Sequence, residues 1–143
     1  GNGSLALDTH QNNFNAVKAL SAELDAGWGA LMEDLKERGL LESTTFLWMG
    51  EFGRTPKINQ AGGRDHYPKA WSAVLAGGGI KGGQAFGSTS EGGEEVKEGQ
   101  VDVGDLLSTF CRAAGIDPKR QNLSEVGRPI RIAEGQPIEA VLS

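Results

Sequence analysis

Cysteine is nearly absent: Cys111 stands alone, so no intrachain disulfide can form, and its apolar setting reads as that of a small buried hydrophobe. Clusters of basic residues are missing too. The 14 Lys and Arg are spread among 19 Asp and Glu for a net charge of −5. That leaves no electrostatic footprint for a phosphate backbone or an anionic membrane, which argues against nucleic-acid and membrane partners. No apolar run approaches the roughly 20 residues of a transmembrane helix, and no signal peptide is visible. No serine sits in a nucleophile elbow, and the run Gly77-Gly-Gly-Ile-Lys-Gly-Gly83 matches neither common phosphate-cradle pattern, so it reads as a turn. Aromatic residues make up only 6%, and Trp28, Trp48 and Trp71 lie in apolar patterns that predict burial.

What is abundant is glycine, 22 residues concentrated between Gly50 and Gly99, which predicts many tight connections. A chain of 143 residues fits one domain. It opens Gly-Asn-Gly without a Met, as expected of a cut or processed product. Phe14, Val17, Leu20, Leu24, Trp28, Leu31 and Leu35 recur at spacings of three and four, predicting an amphipathic helix over 14–38. Asn12 or Asn13 can cap its start and Gly39 can stop it. Thr44–Met49 and Ala70–Ala76 are short apolar runs of the kind found in central parallel strands. A hairpin or extended excursion is expected over 84–96. A second helix is expected after Asp102, with Val103, Leu106, Leu107, Phe110 and Ala114 as its stripe, and a terminal hairpin is expected around Glu134-Gly135. Together these elements predict an α/β fold, an open and mostly parallel sheet with flanking helices. With only two or three strands the sheet is thin, so a partial domain is expected.

Both histidines stand beside aspartates in polar, turn-prone segments, Asp8-Thr-His10 before the first helix and Arg64-Asp-His66 before the second long strand. Imidazoles and carboxylates are the nitrogen and oxygen donors that zinc, manganese or iron prefer. The competing readings are a pre-helix turn for Asp8-Thr-His10 and a solvated ion pair for Arg64-Asp-His66. Glu51 follows a buried strand, where a carboxylate wants a metal or an arginine; a plain Glu51–Arg54 pair serves equally well. Arg54 and Arg64 are candidates for a bidentate clamp on an anionic oxygen.

Four blocks, Asp8-Thr-His-Gln-Asn-Asn-Phe14, Gly50-Glu-Phe-Gly-Arg-Thr-Pro56, Gly63-Arg-Asp-His-Tyr-Pro68 and Leu75–Gly83, carry a family resemblance from about Leu5 onward. The chain resembles the C-terminal third of the sulfatase-like domain-of-unknown-function family 1501, in the alkaline phosphatase and sulfatase superfamily. The resemblance implies an alkaline phosphatase-like α/β fold. It implies a divalent metal (zinc, manganese or calcium) on Asp8, His10 and His66, and a second metal at the place occupied here by Glu51-Phe52. The carboxylate survives at that place while a ring replaces its neighbouring ligand, and Asp65 is the nearby residue able to compensate. Arg54, Arg64 and Asp65 become the candidates for substrate binding.

The superfamily nucleophile lies upstream of the matched portion, so no catalytic nucleophile is expected within this chain. The implied reaction is hydrolysis of a phosphate or sulfate ester, a small anionic substrate, by a parent enzyme exported to the periplasm. The alternative is a degenerate, non-catalytic binding or structural module of an exported bacterial protein, with Phe52 in a ligand's place as the argument for it. An incomplete domain would expose apolar surface and favour a homodimer.

Overall fold

Helix α1 spans Asn13–Glu37, within one residue of the span its three-and-four spacing predicts at each end, and Gly39 (φ 69°) ends it as expected. The computed structural model describes residues 8–143. No side-chain cap forms at the start of α1. Asn12 adopts a left-handed conformation, and its amide and that of Asn13 donate to the carbonyls of Ala61 (3.2 Å) and Gly62 (3.0 Å). The expected capping asparagines thus act through their backbone: the neighbouring loop satisfies the first two orphan donors of the helix, the amides of Asn12 and Asn13.

Strand β1, Thr45–Trp48, follows a 3₁₀ turn at Leu41–Ser43, and three short strands come next: β2, Gly53–Arg54; β3, His66–Tyr67; and β4, Val74–Gly77. The predicted parallel sheet is overturned here. Strand β1 pairs antiparallel with β4 in the register Thr45↔Gly77 to Trp48↔Val74, and β2 pairs antiparallel with β3 through Arg54↔His66. A parallel neighbour requires a crossover of a dozen or more residues, usually a helix. The segment from Met49 to Ala73 carries Gly50, Gly53, Gly62, Gly63, Pro56 and Pro68 and no helical periodicity, and it folds as the β2–β3 ribbon.

Strands β5 (Ser88–Thr89) and β6 (Val96–Glu98) form the hairpin expected near 84–96, with a register shift between Ser88 and Thr89. Helix α2, Val103–Ala113, begins after Asp102, whose backbone amide donates to Asp105 (3.3 Å), and stops before Gly115. The terminal hairpin falls earlier than predicted. Strands β7 (Gln121–Leu123) and β8 (Pro129–Arg131) pair around a turn in which the Gly127 amide donates to the Ser124 carbonyl and the Arg128 amide to the Ser124 hydroxyl. Residues 136–138 instead dock on α2: the Gln136 amide donates to Asp105 (2.7 Å) and the Ile138 amide to the Thr109 hydroxyl (2.9 Å). The described residues therefore form an α+β domain of two α-helices and four two-stranded antiparallel ribbons.

The interior is small. Ser108 and Thr109 are wholly buried and Cys111, Ala133 and Val141 nearly so, which bears out the reading of Cys111. Trp48 and Trp71 are 48% and 37% exposed, against the expectation of burial. Trp28 meets Phe46 edge-on at 5.9 Å, the contact that seats α1 on β1. Most of the α1 stripe has no cover, and Phe14 is 65% exposed. A groove of about 580 Å³ between α1 and the β1–β4 ribbon is lined by Leu24, Trp28, Trp48 and Val74, with Lys18 and Asp25 among its rim residues. The chain exposes 10237 Å². A closed domain of its mass exposes about 7100 Å².

Candidate metal centre

Asp8, Thr9 and His10 alternate in burial along the chain: Thr9 is buried and its neighbours are exposed. The Thr9 hydroxyl donates to Asn13 (2.6 Å), pinning the inner face while Asp8 and His10 point outward. Backbone bonds lay this segment along the loop that precedes β3. Gln11 bridges Gly62, and the Arg64 amide donates to the Thr9 carbonyl at 3.1 Å. Gly63 makes the approach possible, because a methyl group there would overlap the carbonyl of His10 and the amide of Gln11. Strand β3 then delivers His66 opposite Arg54 of β2.

Three of the predicted ligands converge. His66 Nε2 lies 3.0 and 3.3 Å from the two Asp8 oxygens, His10 Nε2 lies 3.1 Å from Asp8 Oδ2, and the two Nε2 atoms are 3.2 Å apart. On the far side of its ring, His10 Nδ1 sits 3.0 Å from Asp65 Oδ1, so in the neutral imidazole Nδ1 carries the proton and Nε2 presents its lone pair to the cluster. Ligand atoms about 2.0–2.1 Å from a tetrahedral ion are about 3.3 Å from each other, close to the separations here. The donor set, two imidazole nitrogens and a carboxylate, suits zinc or manganese.

Charge reinforces the arrangement. The hydrogen bond to Asp65 raises the His10 pKa above 6.5, helped by the charge of Asp8 and opposed by desolvation. Asp65 is held below 3.8, chiefly by its bond to His10 and then by Asn59. For Asp8, desolvation pushes upward, but the His66 bond together with the charges of His10, His66 and Arg54 brings it below 3.8.

Arg54 stands beside the cluster with Nη2 3.3 Å from Asp8 Oδ1, while its Nε is buried without a partner. Phe52 closes one side, its ring 4.4 Å from that of His66 and 5.2 Å from the Arg54 guanidinium carbon. Arg64 is engaged elsewhere: it donates to the carbonyls of Thr55 (2.6 Å) and Pro56 (2.7 Å) and closes the loop between β2 and β3. Glu51 is exposed in the turn after β1 and contributes no atom to the Asp8–His10–His66 group. Asp65 backs His10 from outside the cluster. Sequence reasoning missed Asn59, whose amide joins Asp65 to His10. The available signal was an Asn three residues ahead of Gly62-Gly63, a turn-organising arrangement.

The fold and the site define a small α+β domain with a solvent-facing two-histidine, one-carboxylate cluster among the described residues. The chain belongs to the family described as "Protein of unknown function (DUF1501)", whose model matches residues 2–142. No curated protein and no solved structure matches the chain.

Proposed function

We propose that Asp8, His10 and His66 hold a divalent metal ion, and that the domain is the metal-bearing part of a phosphate- or sulfate-ester hydrolase. The observation carrying this reading is the convergence of two Nε2 atoms and a carboxylate at 3.0–3.3 Å, contributed by segments more than 50 residues apart in sequence. Three protein ligands leave a coordination position open, the habit of catalytic sites; closed structural sites use four. The order of Asp8-x-His10 before a helix and the later His66 also resembles the superfamily pattern.

A divalent ion at this place would supply positive charge to an ester oxygen and to the group that attacks it. The protein's own parts are distinct. Asp8 gives the site its anionic ligand, and Asp65 keeps the His10 lone pair aimed inward. Arg54, with its Nη2 beside Asp8 at the edge of the cluster, is placed to bind a phosphate or sulfate oxygen as the ester arrives. Phe52 keeps water from one side. The Thr9 hydroxyl is committed to Asn13 and Cys111 is buried in α2; the superfamily resemblance implies an attacking group upstream of the matched portion.

Phe52 supports a second reading, a non-catalytic binding or structural module, because it fills a ligand's place with a ring packed on His66 and Arg54. Titration calorimetry of Zn²⁺ and Mn²⁺ into metal-free protein separates the two. The hydrolase reading expects one site of micromolar or tighter affinity, lost in a His10→Ala/His66→Ala double variant whose circular dichroism is unchanged. Equal, weak binding by both proteins would leave the module reading in place.

A further inference from the structure

Asn59 has every hydrogen-bonding valence of its side chain engaged. Its oxygen accepts from the amides of Ala61 (3.0 Å) and Gly63 (2.9 Å), and its nitrogen donates to Asp65 Oδ1 and to the His10 carbonyl, both at 3.0 Å. Two backbone N–H groups can only be answered by the oxygen, so the NH₂ end must face Asp65 and His10. That orientation bears on the His10 ring. Asp65 Oδ1 accepts hydrogen bonds from the Asn59 amide and from His10 Nδ1, so in the neutral imidazole Nδ1 carries the proton and Nε2 is the bare nitrogen that faces the cluster. Thr55 holds Asp65 from behind: its hydroxyl accepts from the Asp65 amide (3.1 Å), and its own amide donates to the Asp65 carbonyl (2.8 Å).

We propose that Asn59 and Asp65 are paired positioning residues that set the tautomer and the placement of His10, so that the loop between β2 and β3 tunes the metal affinity of a ligand that precedes α1. The proposal rests on the metal reading of the Asp8–His10–His66 cluster. The same amide grips the His10 main chain and, through Asp65, its ring, so backbone placement and ring orientation are coupled through one residue. Carboxylate–histidine pairs behind a metal raise ligand basicity and hold the ring, and disrupting them costs roughly 10- to 100-fold in affinity.

Three variants test this. Asn59→Asp is nearly isosteric and keeps an acceptor for Ala61 and Gly63, but it loses both donors. Asp65→Ala removes the acceptor for His10 Nδ1, and Asp65→Asn restores a neutral one. Two readouts are taken on folded protein: zinc affinity by calorimetry, and the His10 tautomer in metal-free protein by long-range ¹H–¹⁵N correlation at a pH where the ring is neutral.

The proposal expects zinc affinity to fall about 10- to 100-fold in Asn59→Asp and Asp65→Ala, with partial recovery in Asp65→Asn. It also expects the protonated-Nδ1 form to dominate in wild type and to lose that dominance in Asp65→Ala. An unchanged tautomer together with wild-type zinc affinity in the variants would overturn it. If wild type binds no zinc, the metal reading fails by itself; the tautomer then decides, Nδ1–H dominance dependent on Asp65 upholding the positioning role and its absence refuting it.

Discussion

Replacing Gly63 with alanine probes how the two ligand segments are held together. The added methyl would overlap the carbonyl carbon and oxygen of His10 and the amide of Gln11, all main-chain atoms unable to rotate aside. Gly63 needs no left-handed conformation, so the cost comes from crowding rather than backbone strain. Relief requires the two segments to part, which weakens the Arg64–Thr9 (3.1 Å) and Asn13–Gly62 (3.0 Å) backbone bonds and the bond from Asn59 to the His10 carbonyl (3.0 Å). Overpacking typically costs about 1–3 kcal/mol and each hydrogen bond contributes about 0.5–1.5 kcal/mol net, so a loss of about 2–4 kcal/mol is expected. In a chain of this size that lowers the melting temperature by roughly 5–15 °C. Gly82→Ala is the matched control, since a methyl there meets nothing within 4 Å. Thermal melts followed by circular dichroism, with zinc calorimetry on the folded variants, should show Gly63→Ala less stable and weaker in zinc binding than Gly82→Ala. Equal melting and equal zinc affinity would refute the claim that the close approach at Gly63 holds His10 in place.

The cluster also predicts opposed pH trends. In metal-free protein the raised pKa of His10 contributes stability that is fully present below 6.5 and is lost as pH rises through the folded value. The lowered pKa values of Asp8 and Asp65 contribute stability present above 3.8 and lost as pH falls through theirs. Denaturant titrations should thus place the cluster's largest contribution between about pH 4 and 6.5. Zinc affinity by calorimetry should instead rise with pH through the His10 value, because a proton there competes with the metal. Arg54→Ala should leave zinc affinity within a few-fold but weaken inorganic phosphate binding to zinc-loaded protein by 10-fold or more, with Arg54→Lys only partly restoring it, since the ammonium offers no bidentate fork. The uncovered face of α1 and β1 should bind a hydrophobic dye in the native state, and Leu24→Lys should lower the dye fluorescence without lowering the melting temperature.

Local pattern was legible where one element decides its own form. The α1 stripe from Phe14 to Leu35 and the Asp102 and Gly115 signals around α2 marked both helices nearly to the residue. Strand direction was not legible. Thr45–Trp48 and Val74–Gly77 are apolar on both faces, as parallel strands are, but direction depends on the connection, and this one holds a ribbon where a crossover helix would be needed. Trp48 and Trp71 lie in apolar runs, and nothing in a run tells whether another element will cover it. Donor chemistry made Asp8, His10 and His66 candidate ligands, while their meeting depends on Gly63 and on backbone bonds between 9–13 and 61–64. The place of Asp65 behind His10, the hub at Asn59 and the occupation of Arg64 by loop carbonyls are long-range geometry that residue type and spacing do not encode.

The most direct test of the central claim is an anomalous difference map, collected at the zinc absorption edge from crystals of zinc-loaded protein. The account predicts one dominant peak in contact with an Asp8 oxygen and the Nε2 atoms of His10 and His66, at about 2.0–2.2 Å from each, with Asp65 still bound to His10 Nδ1. A map with no peak between these side chains, or a dominant peak on other residues while His10 and His66 remain bonded only to protein, would contradict it.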